Sequence, residues 1–119
     1  MQQEKPFLRV LEFRDFESGA GFAVEGEIDL ATVDELRRAV DGIWHRAGAV
    51  TIDLRRVSFI DCVGLRALLE LSGDGNERAC RVEFIQGPPP VARVFELTGA
   101  LQQLSFVDAV SPTVAATTA

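Results

Sequence analysis

The stretch Ser58-Phe59-Ile60-Asp61-Cys62-Val63-Gly64-Leu65-Arg66-Ala67-Leu68-Leu69 changes its hydrophobic period partway along. An apolar run closes at Asp61 and helical spacing begins a few residues later, which predicts a strand that hands over to a helix. An acid at a helix start accepts from backbone N–H groups that no helical carbonyl reaches, and those groups also favour anions. Residue 62 therefore sits at a chemically sensitive corner. Within the same turn Gly64 is the residue that allows close backbone approach, and Leu65 belongs to the core.

Upstream, Val50, Ile52 and Leu54 alternate with Thr51 and Asp53, so a strand runs irregularly from there through Val57 and Phe59. Before it, 7–13 and 21–28 read as two strands of a hairpin around a charged, glycine-containing turn. Phe22, Val24 and Ile28 share one face of the second strand, and Ala23, Glu25 and Glu27 share the other. Thr32-Val33-Asp34-Glu35 fits a capping box that opens a helix. Val33, Leu36, Val40, Ile43, Trp44 and Ala47 form its apolar stripe and Gly48 its stop.

Downstream, Leu65, Leu68 and Leu69 line one side of the second helix, which Gly73-Asp74-Gly75-Asn76 closes. Cys80, Val82 and Phe84 form the inward face of another strand, ended by Gly87-Pro88-Pro89-Pro90. A third helix from Val91 carries Val94, Phe95 and Thr98 on one side and stops at Gly99, and 104–110 reads as a short last strand. Strands alternating with helices after an opening hairpin predict an α/β layer structure, a mixed β-sheet with helices packed mainly on one face. A single domain over 1–110 is expected, with 111–119 as a flexible C-terminal tail poor in bulky apolar residues.

The 119 residues are enough to bury a core without disulfides or a structural metal. Hydrophobic residues make up 47% and charged residues 25%, the balance of a soluble domain. No apolar stretch has the length needed to cross a bilayer, and the start Met1-Gln2-Gln3-Glu4-Lys5-Pro6 lacks the basic flank and apolar core of a secretory signal. A cytoplasmic location without membrane attachment is expected. A net charge of −6 argues against nucleic acid, whose phosphates require clustered Lys and Arg. The basic pair Arg37-Arg38 lies among Asp34, Glu35 and Asp41 as a solvated face with internal ion pairing, and Arg55-Arg56 is the second such pair. Cys62, Cys80 and the single His45 have no metal-ligand spacing, so neither a metal nor a cofactor is implied, and both cysteines stay thiols in a reducing cytoplasm.

Asp61-x-x-Gly64-Leu65 after an apolar strand resembles the signature of the STAS family, the sulfate transporter and anti-sigma factor antagonist domains. Gly26-Glu27-Ile28-Asp29-Leu30-Ala31-Thr32 resembles the family's Gly-Glu-Leu-Asp entry to the first helix, and 91–99 resembles its last helix. Together these cover nearly the whole chain, and the resemblance implies the same architecture. In the bacterial antagonists the residue after the signature acid is usually a serine or threonine that a partner kinase phosphorylates. The unphosphorylated form binds an anti-sigma factor kinase and frees a sigma factor. Here that position is Cys62, followed by Val63.

The resemblance therefore implies a non-enzymatic, partner-binding regulator of transcription, docking an anti-sigma factor or related serine kinase through the Asp61 corner and the helix after it. The residues placed there are Asp29, Ser58, Asp61, Cys62, Val63, Gly64 and Arg66. Self-association into a homodimer is left open. Asp61 serves both as a helix cap and as a docking charge; Asp29 is either part of the same rim or a plain turn acid. Ser58 is ordinarily a turn residue rather than a replacement phosphosite. Two alternatives stand beside the docking module. One is a redox sensor using Cys62, since a thiol at a helix start can be acidified, although adjacent Asp61 opposes this. The other is a small-ligand-binding domain, although no phosphate-cradling glycine loop is present.

Overall fold

Alternating apolar residues give the chain its longest strand. The computed structural model describes residues 7–13, 19–43 and 48–108, and Ala49–Ile60 lies at the centre of its five-stranded sheet. In chain order the elements are β1 (Leu8–Phe13), β2 (Gly19–Ile28), α1 (Val33–Asp41), β3 (Ala49–Ile60), α2 (Cys62–Glu77), β4 (Arg81–Ile85), α3 (Pro89–Thr98), a 3-10 turn (Ala100–Gln102) and β5 (Ser105–Val107). The strands lie in the order β1-β2-β3-β4-β5; β1 is antiparallel to β2 and the other pairs are parallel. Each crossover advances one strand in the same direction, and right-handed connections that advance one way lay their helices on one face. This is the α/β layer architecture the sequence predicts.

Side chains on the helical face make the core. Phe22, Val24 and Ile28 of β2, Val50, Ile52 and Leu54 of β3, and Val82 and Phe84 of β4 are buried in one cluster with Leu36, Val40, Leu68, Leu71, Val91 and Phe95. Phe106 closes the cluster at β5, its ring centroid 5.4 Å from that of Phe95 and 5.9 Å from that of Phe84. Edge-on and tilted contacts of this kind suit the ring quadrupoles. The opposite face of the sheet carries ion pairs, Arg9–Glu25 at 3.7 Å, Arg55–Asp53 at 2.8 Å and Arg81–Glu83 at 3.0 Å. Hydrogen bonding to Asp53 pushes the Arg55 guanidinium pKa up, against a smaller opposing effect of burial.

Several element ends differ from their sequence signals. Helix α1 stops at Asp41, where the Gly42 N–H donates to the Arg38 carbonyl at 3.2 Å, so Gly48 is not its stop. Trp44, His45 and Ala47 lie outside the described residues, as do the hairpin turn 14–18 and the tail from 109 onward. The capping box at Thr32 does not form. Its buried hydroxyl instead donates to the Glu27 carbonyl at 2.6 Å and accepts from the Asp29 N–H at 3.0 Å, locking the end of β2. Arg37, expected to pair on its own helix, bonds Glu70 of α2 at 2.6 Å and joins the two helices.

Helix α2 runs straight through the glycines expected to close it and ends at Glu77, two residues past Gly75. The Ala79 N–H donates to the Asn76 carbonyl at 3.3 Å and the Cys80 N–H to the Gly75 carbonyl at 2.8 Å, while Ala79 takes a left-handed φ of 57°. That is a Schellman ending, with alanine where glycine is usual and buried Cys80 as the residue that seals it. The prolines do not merely stop the sheet, because α3 begins on Pro89 and Pro90, at positions whose N–H groups have no helical acceptor to lose. Gly99 does end α3, at φ 82°.

Candidate functional site

The Asp61 corner is built by the handover from β3 to α2. Asp61 leaves the strand extended, and its Oδ1 accepts from the Gly64 N–H at 2.8 Å while its carbonyl accepts from the Leu65 N–H at 2.9 Å. The first bond satisfies an N–H at the helix start that no helical carbonyl reaches, and the second is the first bond of the helix itself. Cys62 and Val63 form the outward side of this first turn and are exposed, Arg66 is exposed one turn on, and Leu65 is buried in the core. Gly64 is buried because the turn lies directly on β2. A Cβ at that position would run into the Ile28 carbonyl oxygen.

That contact also sets the neighbouring loop. Ile28 and Ile60 are partners in the parallel ladder, and the Asp61 N–H donates to the Ile28 carbonyl at 3.3 Å, so the chain leaves β2 and β3 side by side. Asp29 therefore lies in the loop adjoining Asp61. Its Oδ1 accepts from the N–H groups of Ala31 at 2.9 Å and Thr32 at 3.2 Å, which is the bonding of a turn acid. Each acid is followed by exposed apolar surface, Leu30 at 73% after Asp29 and Val63 at 38% after Asp61. The Ser58 hydroxyl donates to the Gly26 carbonyl at 3.2 Å.

Leu30 and Phe59 are exposed apolar residues near the corner that sequence reasoning did not count among the site residues. Leu30 stands in a turn, where no period assigns a face. Phe59 pairs with Glu27 just beyond two register shifts between β2 and β3, at Ala23/Glu25 and Gly26/Glu27; the first turns Val57 inward and the second restores the alternation, which leaves Phe59 facing outward.

Cys62 begins α2 and Cys80 follows its end, so a helix of sixteen residues, about 24 Å long, lies between them. A disulfide spans Cα atoms less than about 7 Å apart, which rules out a bond within one chain. Burial pushes the Cys80 thiol pKa up, partly offset by nearby Arg81. Of the two basic pairs, Arg37 and Arg55 are committed to carboxylates. Among the described residues no group of three His, Cys, Asp or Glu is placed to hold a metal, and no helix is long and apolar enough to cross a membrane.

Comparison with known proteins agrees with the geometry. The family description "STAS domain" matches residues 17–116. The crystal structure of an anti-sigma factor antagonist from Mycobacterium paratuberculosis is 26% identical, with 87% of this chain and 88% of that chain covered and a TM-score of 0.71. The anti-sigma factor antagonist SpoIIAA in its unphosphorylated form is 21% identical, with 77% and 80% covered and a TM-score of 0.64. The murine anion transporter Slc26a9 shares the fold at 17% identity and a TM-score of 0.65, over 76% of this chain and 16% of its own length. No curated protein matches in sequence. With the family's signature acid and glycine standing at the β3–α2 corner, the chain belongs to the STAS domain family.

Proposed function

We propose that this STAS domain is a non-enzymatic regulatory module that docks an anti-sigma factor, or a related serine kinase, through loop 61–65 and the exposed side of α2. One observation carries the reading. An exposed Cys62 directly follows the capping Asp61, and the family resemblance implies that this is where the bacterial antagonists bear a phosphorylatable hydroxyl. A phosphate there adds a charge of roughly −1.5 to −2, which the helix start tolerates and a docked surface does not. A thiol followed by valine offers a serine kinase no acceptor, so binding is not switched off at this corner. Control then lies in synthesis of the protein or in its partner, within the bacterial cytoplasm.

The docking surface comprises Asp29, Asp61, Val63 and Arg66, with Ser58, Cys62 and the close-packed Gly64 framing it. Its mix of exposed apolar side chains and two acids suits a partner surface with an apolar centre and basic groups beside it. A thiol-sensor role is less well supported, because the second cysteine is buried at the far end of α2.

Affinity capture from the source cell with wild type, Cys62→Asp and Cys62→Ser tests the proposal. Wild type and Cys62→Ser should recover the same ATP-binding kinase, and Cys62→Asp should bind it at least about tenfold more weakly, an effect near 1.4 kcal/mol. With the kinase and ATP, Cys62→Ser alone should take up phosphate at residue 62. Equal recovery by wild type and Cys62→Asp would show that the corner is not the interface.

A further inference from the structure

The sheet has unequal edges. β5 has three residues, whereas β1 has six, with no proline, no glycine and no register break against β2. A regular edge of that length presents unpaired N–H and C=O groups that template another strand. The Glu27 N–H donates to the Phe7 carbonyl at 2.8 Å, so in this antiparallel ladder the odd-numbered residues of β1 bond to β2. The N–H and C=O groups of Leu8, Val10 and Glu12 consequently point outward. Leu11, on the sheet face away from the helices, is 51% exposed.

We propose that two copies of this chain pair through β1, antiparallel about a twofold axis at Leu11, joining two five-stranded sheets into one. An axis normal to the sheet keeps both helical layers on the same side and pairs residues of matching face. Leu11 then meets Leu11 of the second copy, Arg9 meets Phe13, and Val10 and Glu12 exchange backbone hydrogen bonds. One complementary charge pair argues for a second copy as the occupant. Leu8, Val10, Glu35, Arg38 and Ala39 line a shallow cleft between β1 and α1, in which Arg38 is the cation and Glu35 the anion. Neither Arg38 nor Glu12 forms an ion pair within the described residues. Pairing sets Glu12 of the second copy opposite Val10, at the mouth of that cleft, and twofold symmetry makes the Glu12–Arg38 contact twice.

Sedimentation velocity over a concentration series tests the interface. Wild type should sediment at twice the 13.0 kDa chain mass, and Leu11→Lys, Glu12→Arg and Arg38→Glu should each raise the dimer dissociation constant at least about tenfold. All three sites carry exposed or partly exposed side chains, and circular dichroism should show unchanged folding. The double variant Glu12→Arg/Arg38→Glu should regain the dimer, because the pair is reversed rather than removed. Wild type that stays monomeric up to about 100 μM would overturn the proposal. So would a dimer indifferent to both single charge reversals, or a double variant no better than either.

Discussion

Asp61 and Gly64 stand three residues apart and divide the work of one turn. The acid satisfies the helix start, and the missing side chain of the glycine lets that start lie on β2. Asp61→Ala should lower the unfolding free energy by about 1 kcal/mol in urea titration, with Asp61→Asn recovering part of it. Gly64→Ala should cost about 1–3 kcal/mol, because the obstacle is the backbone carbonyl of Ile28 within the sheet and cannot swing aside. Both roles were legible in the order strand, acid, glycine, apolar helix. The role of Thr32 was not, since its hydroxyl is claimed by the Glu27 carbonyl, a group whose position depends on how β2 ends.

The elements were legible where a period was sustained and illegible at their ends. The strands and the three helices follow from runs such as Val50, Ile52 and Leu54. In contrast, Gly73 to Asn76 carried a stop signal that tertiary burial overrode. Each glycine inside a helix costs about 1 kcal/mol relative to alanine, and burial of Leu71 and Gly75 along α2 offsets this. The true stop rests on Ala79 in a left-handed conformation, which local sequence disfavours. Gly73 is exposed, with open space around the position of its absent side chain. Gly73→Ala and Ala79→Gly should therefore each raise stability by about 1 kcal/mol, read as higher midpoints in thermal unfolding, and their effects should add.

At the scale of the whole molecule, one titrating group links the core to pH. Folding buries Cys80 and raises its pKa, so the unfolded chain releases this proton first and is favoured as pH rises. The contribution is complete below the ordinary thiol range, near pH 8.5, and is lost progressively above it. Unfolding free energies measured from pH 7 to 10 should fall in wild type, and the slope should flatten in Cys80→Ala even though that variant is less stable at neutral pH. The chain has no tyrosine to confuse the upper end of the titration.

The unlike settings of the two cysteines, one open at the head of α2 and one enclosed beyond its tail, also equip the native chain for spectroscopy. A maleimide fluorophore added to the folded protein finds a single attachment point, and that point lies at the corner proposed to meet the partner. Emission from the unmutated, singly tagged protein would then trace docking in real time, with the enclosed sulfur staying dark until the chain unfolds.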